Sequence, residues 1–481
     1  MSVLNFEPKE VFSYFEEICS IPHGSSHTKQ ISDYLVSFAE KFNLTYVQEE
    51  CGNVIIWKEA TSGYENSPTV ILQGHMDMVC EKEAGVSIDF LKEGLILETE
   101  GDFVFAQGTT LGGDDGIAIA YALAILASNE IPHPALEVVF TVDEEIGMLG
   151  ANALDASVLK GKMLINIDSE EEGILTTSCA GGVIGEITLP FSWQPVEGIS
   201  YELIVEGLQG GHSGVEIQKE RANSNIVLGR VLYEISKEVG YGIEVISGGL
   251  KDNAIPRASR AVIWLDEENE EMLKSTVDNF RKTIKNEYRA SDPEVVVKVA
   301  KREENQGRMI HPREKEFLLY ILRNIPNGVQ KMSMEIAGLV ETSCNLGILK
   351  TCEESIQMEV SIRSSVESEK RELSDRIRYL TEFLGCDYEE KGDYAGWEYN
   401  PNSKLQKIMI EVFEKMYERK PEVEAIHAGL ECGILSAKIP GLECISIGPD
   451  IFDIHTPKER LSISSSQRVW EYLLEVLKQM K

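Results

Sequence analysis

Apolar and polar positions alternate along this chain in two distinct rhythms. From the N-terminus to about Gly185, short β-branched runs are interleaved with segments of helical period. Gln30–Phe42 (QISDYLVSFAEKF) spaces its apolar residues as one face of a helix, and Asn53–Lys58 reads as a strand. Pro68–Gln73, Leu136–Val142 and Met163–Ile167 are further short apolar runs of strand length, and Ile117–Ala127 is an apolar stretch with a helix-like start. Alternation of this kind predicts a mostly parallel α/β sheet.

From Glu186 the rhythm lengthens into alternating runs such as Tyr201–Glu206 and Ala261–Asp266, separated by amphipathic segments at Asn223–Glu238 and Glu268–Tyr288. Glycine-rich breaks at Gly207–Gly214 and Gly248–Gly249 mark turns, and Gln194-Pro195 reads as a loop. A faint repeat is visible. Asn253-Ala-Ile-Pro, a strand, a Lys/Glu-rich helix and Glu294–Val299 form one β-β-α-β unit. Ser343-Cys-Asn345-Leu-Gly, Ile356–Ile362, the helix Ser368–Leu384 and Cys386–Glu389 form another. Two such units predict an antiparallel sheet with helices on one face. After a turn at Tyr394–Pro401 the first rhythm resumes, with Cys444–Ile447 as a strand and a final helix from Ser465. The expected fold is therefore α/β: a discontinuous domain, 1–185 and 394–481, with an inserted α+β domain at 186–393.

Composition narrows the function classes. The chain has 481 residues, 46 Lys+Arg against 80 Asp+Glu, and a formal net charge of −34. That balance disfavours nucleic acid and anionic membrane as partners, since both reward basic patches. Nine cysteines lie scattered without a CxxC pair, and neither a signal-like N-terminus nor a membrane-length apolar run is present. A cytoplasmic protein with reduced, mostly buried cysteines is expected.

The chemistry sits at the ends of the strand-like runs. Pro68–Gln73 leads into Gly74-His75-Met76-Asp77, Leu136–Val142 into Asp143-Glu144-Glu145, Met163–Ile167 into Asp168, and Cys444–Ile447 towards a loop with His455. Between the first two, Gly112-Gly113-Asp114-Asp115-Gly116 opens the apolar stretch. Ligands of open α/β sheets bind beyond the carboxyl ends of the strands. Two histidines and several acids on that edge suit a divalent ion taking imidazole nitrogen and carboxylate oxygen. Each element alone has an ordinary explanation: Asp115 serves equally as a helix cap, and a loop histidine such as His455 is usually unremarkable. Their shared placement points to a site in which His75, Asp114, Glu145, Asp168 and His455 hold two metals, with a carboxylate at 114 bridging them. Of the neighbouring acids Glu144 and Glu145, a metal relieves one and leaves the other free to move protons.

The stretches GHMDMV, TLGGDDGIAIA, TVDEEIGMLGA, LINIDSEEEG, GLQGGHSG, HAGLECG and IHTPKERLSIS resemble the M20 metallopeptidases, and within them the aminoacyl-histidine dipeptidases (peptidase D, Xaa-His dipeptidase). The resemblance runs along the whole chain. It implies the five-residue ligand set with Asp114 bridging two zinc ions, or cobalt or manganese in their place. It implies Asp77 as the acid that orients His75, Glu144 as general base, and a lid role for 186–393. It further implies that His212, in Gly210-Gly-His-Ser-Gly214, stabilises an oxyanion, and that Arg363 grips the substrate carboxylate with Asn345 or Asn253 nearby. Asp115 stands where many relatives carry Asn, which leaves its role open.

The expected activity is metal-dependent hydrolysis of a dipeptide, of Xaa-His type or broader, by a metal-activated water. An amidohydrolase acting on N-acyl amino acids would use the same ligands. A peptide-binding relative without turnover would be expected to lack the base, and Glu144 argues against it. The partner is a small peptide, and monomer and homodimer are both compatible with the sequence.

Overall fold

A computed structural model describes residues 4–303 and 306–481. Contacts divide the chain into two compact units. One comprises residues 1–179, 399–425 and 430–481, the other 180–398 and 426–429.

The first unit is built on an eight-stranded sheet ordered 45–48, 54–58, 136–141, 70–75, 163–166, 443–446, 174–179, 422–426. Its four central strands run parallel, through 136–141 with 70–75, 70–75 with 163–166 and 163–166 with 443–446. The strands at 45–48 and 54–58 join antiparallel. All six residues of Val70–His75 and of Leu136–Thr141 are buried, as central strands of a sheet covered on both faces require. Helix Gly113–Ala127 is buried over almost its whole length and packs on strand 70–75 and on helix Lys9–Cys19. That explains why its sequence shows no polar stripe. The predicted helix at 30–42 is found at Lys29–Lys41 and the predicted strand at 53–58 begins at Val54.

The second unit is an antiparallel sheet ordered 296–301, 199–206, 259–265, 242–248, 340–351, 355–364, 181–190, 387–394, with 328–332 paired to 340–351. It consists of two four-stranded halves of the same order that meet where Ser247 and Gly248 pair with Lys350 and Leu349. In each half the outermost strand is the last in sequence and its neighbour the first, so each repeat includes an initial strand (199–206 or 181–190) beyond the β-β-α-β pattern read from sequence. The change of rhythm at Glu186 falls inside the single strand Gly181–Pro190. Gln194-Pro195 is not a loop: Trp193–Glu197 is a strand that pairs with Gln306–Ile310, Pro195 opposite Arg308. Proline is tolerated in such a ribbon because a two-stranded ladder has only edge strands. None of the nine cysteines is in a disulfide; six are buried, and Cys51 is exposed.

Candidate metal centre

Strand 70–75 delivers His75 to the carboxyl edge of the sheet almost completely buried. Its Nε2 lies 3.0 Å from Asp114 Oδ1 and 3.4 Å from Asp168 Oδ1. Its Nδ1 lies 3.0 Å from the Asp77 carbonyl oxygen and 3.5 Å from Asp77 Oδ1. On the far side of Asp114, His455 Nε2 is 3.3 Å from Asp114 Oδ2 and 2.9 Å from Glu145 Oε1. Two donor groups result, His75–Asp114–Asp168 and Asp114–Glu145–His455, each with its atoms within 4.8 Å of one another. Asp114 belongs to both, one oxygen facing each.

The electrostatics fit a cation in each group. Burial alone would push the His75 imidazole down, but Asp168, Asp114 and Asp77 around it outweigh that and carry it well above the ordinary histidine value. Hydrogen bonds to Asp114 and Glu145 hold His455 up at about 10. Burial pushes Asp168 up to about 6, with Asp114 and Glu145 adding to it. Carboxylates crowded out of water demand positive charge, and the imidazolium protons stand where divalent ions would supply it. Nitrogen and oxygen donors in this mixture suit zinc and its first-row neighbours.

Asp77 does two jobs. Besides facing His75 Nδ1, its carboxylate accepts the Glu144 N–H at 2.9 Å, the Glu145 N–H at 3.4 Å and the Ser25 hydroxyl at 2.8 Å. One side chain therefore fixes the imidazole and the acidic turn after strand 136–141, where Asp143 takes a left-handed φ of 54°. Glu144 is pushed up to about 9, by burial first and then by Asp168, Glu431 and Glu145, against the opposing pull of His75. Asp115 does not face the donor groups: its Oδ2 accepts the His75 N–H at 3.2 Å, and burial beside Asp168 raises its pKa well above the usual range.

The remaining predicted residues lie in the second unit. His212 Nδ1 accepts the N–H groups of Gly214 (3.1 Å) and Val215 (3.2 Å), which puts the ring proton on Nε2. Burial, then the Arg363 guanidinium, lowers its pKa, so the ring is a neutral donor. Arg363 Nη1 donates to the Tyr394 hydroxyl at 2.9 Å, while its Nε is buried without a partner. No carboxylate among the described residues lies within ion-pair distance of it. Asn345 is committed elsewhere. Its amide donates to the carbonyls of Asp252 (3.2 Å) and Ala254 (2.9 Å) and accepts from Asn223 at 3.0 Å, so it buttresses the loop with no donor left for a ligand. Asn253 lies on that same loop, and its backbone carbonyl accepts the Ser213 N–H.

Comparison with known proteins identifies the family. The model for peptidase family M20/M25/M40 matches residues 71–479. The chain belongs to this family. It is 35% identical over 475 residues to the cytosol non-specific dipeptidase of Escherichia coli strain K12, covering 98% of each chain. The M20 chain also superimposes on the crystal structure of aminoacylhistidine dipeptidase from Vibrio alginolyticus with a TM-score of 0.94 at 34% identity, covering 99% of this chain and 98% of that one. The aminopeptidase PepT from Bacillus cereus shares the fold at a TM-score of 0.59 and 14% identity, with 98% of each chain covered.

Sequence reasoning passed over three residues that the M20 structure places around the site or beside His212. Glu431, fully buried, accepts from Gln73 Nε2 at 2.5 Å and Thr141 Oγ1 at 2.7 Å beneath the two central strands. His427 binds Ser343 Oγ at 2.7 Å in the second unit, where burial and then Arg363 push its imidazole down to about 3. Glu459 accepts backbone N–H groups of the loop that carries Asp114. Glu431 and His427 belong to HAGLECG, and Glu459 to IHTPKERLSIS, so the motifs were visible while the roles were not.

Proposed function

We propose that this chain is a metal-dependent dipeptidase whose two ions are held by His75, Asp114, Glu145, Asp168 and His455, with Asp114 shared. The observation that carries the reading is that sharing: one carboxylate faces two imidazoles, each completed by another acid. Zinc is the assigned ion, replaceable by cobalt or manganese. Bound there, the ions supply Lewis acidity to the scissile carbonyl and bring the pKa of a water towards neutrality.

The chain's own groups do the rest. Glu144 takes the proton of the attacking water and returns it to the leaving amine; its buried carboxyl is tuned towards the basicity such a shuttle needs. Asp77 keeps Glu144 at its post through the peptide N–H and keeps the His75 ring turned. To His212 the family resemblance assigns the oxyanion, and its neutral Nε2–H tautomer supports that role; one such donor contributes roughly 3 kcal/mol. To Arg363 it assigns the substrate's carboxylate, which a guanidinium without a counter-ion among the described residues is suited to receive. The substrate is a dipeptide with free termini, Xaa-His being the type suggested by the resemblance.

The test is a panel of dipeptides, Xaa-His peptides among them, against N-acetyl amino acids on metal-reloaded protein, with amino acid products quantified. Dipeptides should be cleaved with the higher kcat/KM. Preference for the N-acetyl compounds would replace this reading with an aminoacylase.

A further inference from the structure

The loop Leu111–Asp114 is irregular. Gly112 takes a left-handed φ of 68°, and Asp114 and Asp115 depart from helical angles before the helix proper begins. Four consecutive N–H groups of this loop converge on one side chain. Glu459 Oε2 accepts from Leu111 at 2.8 Å and Gly112 at 3.2 Å, and Oε1 accepts from Gly113 at 2.8 Å and Asp114 at 3.4 Å. Successive main-chain N–H groups of this sort form an anion-binding concavity, and here the anion is a side chain 3% exposed to solvent. The two glycines make the close approach possible: a Cβ on Gly112 would lie 2.9 Å from Met78 Sδ, and one on Gly113 would lie 3.3 Å from Glu459 Oε1.

Glu459 also ends the turn that presents His455. Thr456 Oγ1 donates to the Asp453 carbonyl at 2.7 Å, and its own carbonyl accepts the Glu459 N–H at 3.1 Å. His455 takes a left-handed φ of 58° inside this turn. One carboxylate thus fastens the turn carrying His455 to the loop carrying Asp114, two of the three donors of the Asp114–Glu145–His455 group.

We infer that Glu459 is a positioning residue that sets the location of the shared Asp114 carboxylate and its spacing from His455, and thereby the affinity of that donor group for its ion. The inference rests on the metal assignment above. Residues that orient metal ligands typically change affinity by about 10- to 100-fold when altered. In Glu459→Gln the amide turns N–H groups towards N–H groups and surrenders half the cradle, so an effect of that size is expected on one of two sites. Gly113→Ala approaches the same carboxylate from the other side and should act in the same direction, less strongly.

The experiment titrates metal-free wild type, Glu459→Gln, Gly113→Ala and Asp114→Asn with Co2+, following visible absorption, and measures the unfolding midpoint of each without metal. Wild type should take up two ions. Glu459→Gln should weaken one by about 10- to 100-fold at temperatures where the metal-free variant is fully folded, with an altered cobalt spectrum. Wild-type affinity and spectrum in both Glu459→Gln and Gly113→Ala, with only a lowered midpoint, would make Glu459 a structural staple and overturn the inference. If Glu459→Gln does not fold, Gly113→Ala decides alone. Should Asp114→Asn keep both ions, the metal assignment itself fails, a result separable from the other two.

Discussion

Gly74, in the strand that ends at His75, faces the helix behind it, and replacing it with alanine is a calibrated push on the site. A Cβ there would lie 2.5 Å from Asp115 Oδ2 and 2.7 Å from Ala118 Cβ. Ordinary heavy-atom contacts are about 3.5–4.0 Å, so strand or helix must give by about 1 Å. Both are buried, and the His75 N–H to Asp115 bond of 3.2 Å crosses the same gap. Backbone conformation is no obstacle, since Gly74 has no left-handed φ. The entropy gain of a Gly-to-Ala change, about 0.4–1 kcal/mol, therefore acts in full. Overpacking costs about 1–3 kcal/mol, so the net should be a destabilisation of about 1–2 kcal/mol. The larger effect falls on chemistry: a displacement of about 1 Å at His75 is expected to lower kcat by about 10²-fold. Chemical denaturation of the metal-free protein and dipeptide kinetics of the reloaded protein measure the two effects. Wild-type values in both would show that the wall behind His75 yields freely, and the claim that tight packing positions the ligand would be wrong.

Glu144→Ala should keep both ions and lose turnover by a factor of at least ~10², measured as metal content beside kcat; loss of the metals with the side chain would exchange the roles of 144 and 145. Arg363→Ala should raise KM for dipeptides and spare substrates with an amidated C-terminus, whereas His212→Ala should lower kcat, because its hydrogen bond strengthens only as the oxyanion forms. For His427, whose folded pKa of about 3 lies below the unfolded value of about 6.5, the unfolded chain binds the extra proton. Its contribution to stability is therefore present above about pH 6.5 and is lost as pH falls towards 3. Denaturation midpoints against pH should show a shallower acid limb in His427→Gln, and an unchanged limb would refute the low pKa.

The parallel core and the convergence of acids and histidines at its edge were legible because both are written locally. Strands of four to six mostly buried residues lead into the acids and histidines they deliver, and the fold places all those ends on one edge. What was illegible depends on distant partners. Glu459 meets Gly113 across 346 residues of sequence, and no local pattern marks a glutamate as the occupant of a backbone cradle. The strand through Pro195 exists because Gln306–Ile310 pairs with it, against the local signal of proline. Asn345 is a further case: the resemblance puts it near Arg363, and only the structure shows its amide donating to the loop at 252–254. The repeat was visible only as β-β-α-β because its opening strands, 181–190 and 199–206, lie close together in the chain, with only the strand 193–197 between them, and belong to different halves of the sheet.

Equilibrium dialysis against zinc tests most directly whether one aspartate, Asp114, serves both donor groups. Wild type should bind two equivalents, as the two donor groups dictate. His455→Ala should retain about one, since it strips only the Asp114–Glu145–His455 group. Asp114→Asn should fall furthest, because it weakens both groups at once. Two tightly held equivalents in Asp114→Asn would contradict the account, for then no carboxylate at 114 joins the sites.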